Sequence, residues 1–188
     1  MRLDPLPASA AWQHIGTRSG FEVLFTSART LEGHTTAVEQ GEIWSVSYRI
    51  ELDAAWRTRR AEVVGRTSAG PRTTVLERHD GDRWTVDGVP VPLLDGCVDV
   101  DLESSAVTNT LPIHRLDFVE GEPVQCPAAY VRADLRIERL EQTYTARPDL
   151  RFGYAAPAFG FTAELRYDAS GLIVDYPGIA VRAGTLLS

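Results

Sequence analysis

Alternation of apolar and polar residues, punctuated by Gly-containing turn pairs, constrains the fold of this chain more than any other feature. Between Ile43 and Leu52, the residues Trp44, Val46, Tyr48, Ile50 and Leu52 share one parity, and Ser45, Ser47, Arg49 and Glu51 share the other. Successive side chains of a strand point to opposite faces, so this period of two predicts a half-buried strand. The pattern returns at Phe161, Ala163, Leu165 and Tyr167, and again at Leu172, Val174 and Tyr176. Further strands are expected at Phe21–Arg29, Arg57–Arg66, Thr73–Arg78, Arg83–Val86, Val98–Asp101, Ile113–Val119, Arg136–Thr145 and Arg151–Tyr154. Asp80-Gly81, Asp87-Gly88, Asp95-Gly96 and Ser170-Gly171 separate them. Asp-Gly pairs supply the positive φ values that tight hairpins need.

Helical signals are poor. Ala8–His14 is the best candidate for a helix, and it is short and lies beside Pro5 and Pro7. Nothing supplies the long crossover helices that a parallel sheet requires. The expected fold is therefore all-β: a single large antiparallel sheet, curled or open barrel-like to protect its edges, with little helix. No Pro-, Gly- or Ser-rich linker interrupts residues 1–188, so one domain is expected.

The formal net charge of -7 disfavours nucleic acid and anionic membrane surfaces, which need a positive face. No run approaches the roughly twenty apolar residues of a membrane helix. Residues 1–10 carry an acid and two prolines where a signal peptide has an apolar run, so cytoplasmic residence is expected. Only two cysteines are present, Cys97 and Cys126, which is too few for a disulfide scaffold. The four histidines are scattered, and no phosphate loop, HExxH or CxxC occurs, so no metal or cofactor is expected. A monomer or homodimer fits this composition.

The unusual stretch is residues 93–118. In extended conformation Asp99, Asp101 and Glu103 share a face, with neighbouring Cα atoms about 6.6–6.8 Å apart. Such a row repels itself unless it is solvated or matched by donors. Arg115 is the natural partner for one carboxylate, because its planar fork suits a bidentate pair. Thr108-Asn109-Thr110 reads as a hydrogen-bonding turn, and Pro112 is expected to hold Leu111 extended. The polar cluster either fastens a long connection to the sheet or meets a polar headgroup at the mouth of an apolar cavity. Two carboxylates could also serve acid/base chemistry on a glycoside, which makes a hydrolase or isomerase acting on a small glycosyl or lipid-like substrate one alternative, and a structural or regulatory interaction protein is the other. Elsewhere, Trp56 follows a polar break and suits a cavity rim. Gln142 and Tyr144 share a strand face and need hydrogen-bond partners, and Tyr176 closes the last strong strand.

Several of these stretches together resemble a bacterial glycolipid-binding family, long catalogued as a domain of unknown function. They are Tyr48-Arg49-Ile50 with Trp56, Asp80-Gly81-Asp82-Arg83-Trp84, Gly96–Asp101 with Thr108–Ile113 and Arg115-Leu116, Gln142-Tyr144-Thr145, and Gly171–Gly178. The resemblance implies a spiral β-roll and noncatalytic binding of a glycolipid or other amphipathic small molecule. On that reading, Trp56, Asp99, Asp101, Asn109, Arg115, Gln142, Tyr144 and Tyr176 are the candidate ligand-binding residues.

Overall fold

The structure is a computed structural model and describes residues 3–184; residues 1–2 and 185–188 of the expected domain lie outside the described residues. Seventeen strands run β1 (Ser9–His14), β2 (Arg18–Ser27), β3 (Thr30–Glu39), β4 (Glu42–Leu52), β5 (Thr58–Thr67), β6 (Gly70–His79), β7 (Arg83–Val86), β8 (Val89–Pro90), β9 (Asp99–Leu102), β10 (Pro123–Gln125), β11 (Ala128–Val131), β12 (Ile137–Leu140), β13 (Thr143–Arg147), β14 (Arg151–Ala156), β15 (Phe161–Tyr167), β16 (Ile173–Tyr176) and β17 (Ala180–Arg182). Among the described residues there is one α-helix, α1 (Thr110–Arg115), besides three short 3-10 turns. None is long and apolar enough to cross a membrane.

Fourteen strands form one antiparallel sheet in the order β10-β13-β14-β15-β16-β17-β1-β2-β3-β4-β5-β6-β7-β8. β1 pairs with both β2 and β17, so the two ends of the chain meet in the middle of the sheet. The indole N–H of buried Trp12 on β1 donates to the Ile173 carbonyl at 2.8 Å and secures this seam. The excursion between β8 and β13 leaves the large sheet except at β10. It builds a second sheet, β12-β11-β9, in which β9 and β11 are parallel.

The alternation sets the buried face. Trp44, Val46, Tyr48, Ile50 and Leu52 are all buried on β4, and Leu165 and Tyr167 on β15. Asp87-Gly88 turns tightly between Val86 and Val89 with φ of 51° and 78°, the two positive values of a two-residue hairpin. Around β16, Leu172 and Tyr176 are buried as the alternation expects, but Val174 is only half-buried and Ile173 is buried instead, where a register shift beside Tyr167 interrupts the pattern.

Several expectations are corrected. Ala8–His14 is not helical: Ser9–His14 is strand β1, buried on one side through Trp12 and His14. Ile113–Val119 is not a strand. Its first part belongs to α1, and Leu111 is helical despite preceding Pro112. Pro112 occupies the third helical position, where a main-chain N–H has no helical acceptor to lose. Arg136–Thr145 is two strands in two different sheets, β12 and β13, separated by Glu141 and Gln142. The expected single sheet is thus one large antiparallel sheet with a small mixed sheet packed on it.

β3 carries little of the alternation because its buried face holds Leu31, Gly33, Thr35 and Ala37. Gly33 has a steric reason. A Cβ there would lie 2.1 Å from Cζ of Tyr48, whose ring crosses directly over its backbone. The Tyr48 hydroxyl then donates to Glu22 Oε1 at 2.8 Å. Gly33→Ala should displace the ring and strand that bond, costing roughly 2–4 kcal/mol from overpacking plus a lost buried hydrogen bond. Urea denaturation checks this, and a change within experimental error of zero would contradict the packing.

Candidate functional site

The excursion lies against the buried face of the large sheet, and side chains from strands across that sheet bond to it. The Thr35 hydroxyl (β3) donates to the Ser104 carbonyl at 2.8 Å, and the Val100 N–H donates to the Thr58 hydroxyl (β5) at 3.1 Å. The Trp84 indole (β7) donates to the Cys97 carbonyl at 2.9 Å. From the other half of the sheet, the Tyr144 hydroxyl (β13) donates to Asn109 Oδ1 at 2.7 Å. The Tyr167 hydroxyl (β15) donates to the Asn109 carbonyl at 3.1 Å. Leu135 packs over Gly65, where an added Cβ would meet Leu135 Cγ at 3.1 Å.

Two buried carboxylates anchor this docking. Glu22 is fully buried, accepts from the Ala106 N–H at 2.8 Å and from the Ser105 and Tyr48 hydroxyls, and forms no ion pair among the described residues. Desolvation pushes its carboxyl up to about 7. Asp99, 1% exposed, is held by Arg115 in the expected bidentate manner, with Nε 3.1 Å from Oδ1 and the second nitrogen 2.6 Å from Oδ2. Burial still holds its carboxyl above the ordinary range, the guanidinium offsetting part of that.

At one margin of the excursion a groove of about 260 Å³ is lined by Asp101, Asn109, Tyr130, Tyr154, Phe161 and Tyr176, with Arg18, Glu39, Glu103 and Phe159 at its sides. Asp101 accepts from the Thr108 hydroxyl at 2.7 Å, and desolvation raises its carboxyl to about 6. Because Tyr144 occupies the Asn109 carbonyl oxygen, the amide NH2 of this 3% exposed residue is left without an acceptor among the described residues. Arg18 is already engaged: it donates to the Glu103 carbonyl at 2.8 Å, pairs with Glu39 at 3.2 Å and stacks over Trp44. Phe161 and Tyr176 have ring centroids 6.0 Å apart, and Tyr154 lies 6.1 Å from each. A wider and more open depression of about 790 Å³ runs along Val38, Ile43 and Trp44, but it has no buried polar group comparable with Asp101 and Asn109.

The eight candidate residues therefore divide. Asp101, Asn109 and Tyr176 line the groove. Gln142 and Tyr144 stand behind it, Gln142 accepting from the Tyr154 hydroxyl at 2.8 Å and Tyr144 fixing Asn109. Trp56, Asp99 and Arg115 are elsewhere: Trp56 stacks on His114 with centroids 3.7 Å apart, and Asp99 is closed off by Arg115. The Asp99–Asp101 pair does not converge on one cleft, because β9 is buried on both faces and each carboxylate meets a different neighbour. Sequence reasoning missed Tyr154 and Phe161, which lie in expected strands and read as core, and Tyr130 and Phe159, which lie outside every expected strand. No group of three or more His, Cys, Asp or Glu side chains able to hold a metal occurs among the described residues.

Fold and groove together define an all-β chain in which a large antiparallel sheet carries a small mixed sheet and an aromatic-lined groove beside it. A family model described as "Putative glycolipid-binding" matches residues 9–182, and the chain belongs to that family. It is similar to the crystal structure of a DUF1089 family protein from Pseudomonas aeruginosa, with a TM-score of 0.79, 29% sequence identity and 95% of each chain covered. No curated protein matches it.

The buried Glu22 gives a pH signature. Its carboxyl rises from an ordinary 4.5 to about 7 in the folded protein, so the folded state holds the proton more tightly between those values. This contribution is complete below pH 4.5 and is lost as pH climbs to 7, by about 3 kcal/mol at about 1.36 kcal/mol per unit. Glu22→Gln, uncharged throughout, should flatten that part of the profile. Chemical denaturation of both proteins from pH 4.5 to 8 checks it, and parallel profiles would contradict it.

Proposed function

We propose that the chain is a noncatalytic binding protein that seats the sugar headgroup of a glycolipid or similar amphipathic molecule in the groove. The observation that carries this is the placing in one groove of the Asn109 amide NH2, without an acceptor among the described residues, and the buried Asp101 carboxylate, among the rings of Tyr130, Tyr154, Phe161 and Tyr176. Sugar hydroxyls need both hydrogen-bond roles, and the apolar faces of a sugar ring pack on aromatic faces. Gln142 and Tyr144 act here as supports that orient Tyr154 and Asn109, while Trp56, Asp99 and Arg115 hold the excursion in place.

The volume limits what enters. At about 260 Å³ the groove is below the roughly 300–1,000 Å³ of pockets that enclose a drug-sized ligand. One ring-sized headgroup fits, and an acyl chain stays outside it, against the exposed rim at Phe159. The family's description and the similarity to its solved member agree with this reading.

The same proposal includes the finer fold: the fourteen-stranded sheet rolls spirally around the excursion. Contacts to it from β2, β3, β4, β5, β7, β13 and β15, together with terminal strands β10 and β8 at opposite ends of the order, support a roll over a closed barrel. Cytoplasmic residence and a monomeric or homodimeric state are part of it too, and two buried free thiols, Cys97 and Cys126, suit a reducing compartment.

Saturation-transfer NMR with a panel of methyl glycosides tests the site. Phe159, 43% exposed, contributes little to folding, so Phe159→Ala should leave stability unchanged. It should weaken binding roughly three- to tenfold, the scale of one lost aromatic contact. Unchanged affinity in that variant, or transfer to no glycoside at all, would count against the groove.

A further inference from the structure

Within the groove the charges are not balanced one for one. Arg18 and Glu39 form an ion pair at 3.2 Å. Glu103 receives the Ala133 N–H at 2.8 Å and has Arg132 at 3.8 Å, and Arg132 is itself tied to Glu138 at 2.5 Å. Asp101 is different. It is 6% exposed, its hydrogen-bond partners are the neutral Thr108 hydroxyl and the Leu102 main chain, and it forms no ion pair among the described residues. A buried carboxylate without a cation is costly, and a ligand that supplies one recovers much of that cost.

The rings around it point the same way. Tyr130, Tyr154, Phe159, Phe161 and Tyr176 line the groove, and the faces of such rings attract cations. The fold already uses that attraction at the rim, where the Arg132 guanidinium lies 5.5 Å from the Phe159 ring centroid and 5.9 Å from that of Tyr130. Beside Asp101, the unpartnered Asn109 NH2 is a donor, which suits a hydroxyl oxygen and repels a second ammonium.

We infer that the groove selects a headgroup bearing a primary ammonium next to a hydroxyl, as in an unacetylated amino sugar, with the ammonium on Asp101 and the hydroxyl on Asn109. This inference rests on the sugar-binding reading and sharpens it. Neutral sugars satisfy the hydrogen bonds but leave Asp101 without its counter-charge. N-acetylated sugars remove the charge and add bulk to a groove that has little to spare.

Calorimetric titration of the full chain with methyl glucosaminide, methyl glucoside and methyl N-acetylglucosaminide tests this. The glucosaminide should bind roughly tenfold more tightly than the glucoside, the difference between a charge-assisted and a neutral hydrogen bond, and N-acetylation should erase the advantage. Asp101→Asn keeps a side-chain acceptor for Thr108 and should bring the glucosaminide down to the glucoside's affinity. The wild-type comparison stands by itself if that variant fails to fold. Equal wild-type affinities for the first two probes would overturn the ammonium assignment while leaving sugar binding intact. Absence of binding by all three would overturn both.

Discussion

Everything else in this molecule depends on docking an irregular, partly helical segment onto the buried face of a sheet. Strands satisfy their own backbone through their neighbours, but residues 104–109 do so only in part, and a buried N–H or C=O without a partner costs about 1–3 kcal/mol. The sheet meets this demand with side chains. Glu22 takes the Ala106 N–H, Thr35 caps the Ser104 carbonyl and Tyr167 caps that of Asn109. Each of these polar residues sits where an apolar one would otherwise complete the face. The desolvation of Glu22, which raises its carboxyl, is the cost of that arrangement.

The groove follows from the docking rather than from a hollow in the sheet. Where the excursion covers the face, Val100, Leu102, Ala106, Val107 and Leu111 are buried. At its margin, β9 brings Asp101 and the turn before α1 brings Asn109 next to aromatic residues of β11, β14, β15 and β16. Residues that fasten the segment and residues that line the groove are therefore neighbours in sequence. Asp99 and Asp101 are two apart on one strand, yet one is locked to Arg115 and the other borders open space.

That proximity explains what the sequence could convey. Strands such as β4 were legible because one face is large and apolar and the other polar, so the period of two is unmistakable. β3 was not, because Gly33 makes room for the Tyr48 ring and Thr35 reaches the excursion, which erases the pattern. Burial of Leu111 and Ile113 overrode the extended bias before Pro112, so a helix stands where a turn over Thr108–Thr110, an extended Leu111 and a strand from Ile113 were expected. Of the site, the polar motif from Asp99 to Arg115 was visible as unusual, and three of the eight candidates line the groove. Spacing alone could not separate an anchoring carboxylate from a lining one. Nor could it show that Tyr130, Tyr154 and Phe161, from three different strands, converge there.

The central claim is that the sheet's buried face is filled and that ligand is held at the margin. A crystal structure of the protein with a bound short-chain glycolipid tests it most directly. The account predicts sugar density against Asp101 and Asn109, flanked by Tyr154 and Tyr176, with the chain running outward past Phe159. An acyl chain lodged between the large sheet and the segment around Val107 and Leu111 would contradict it.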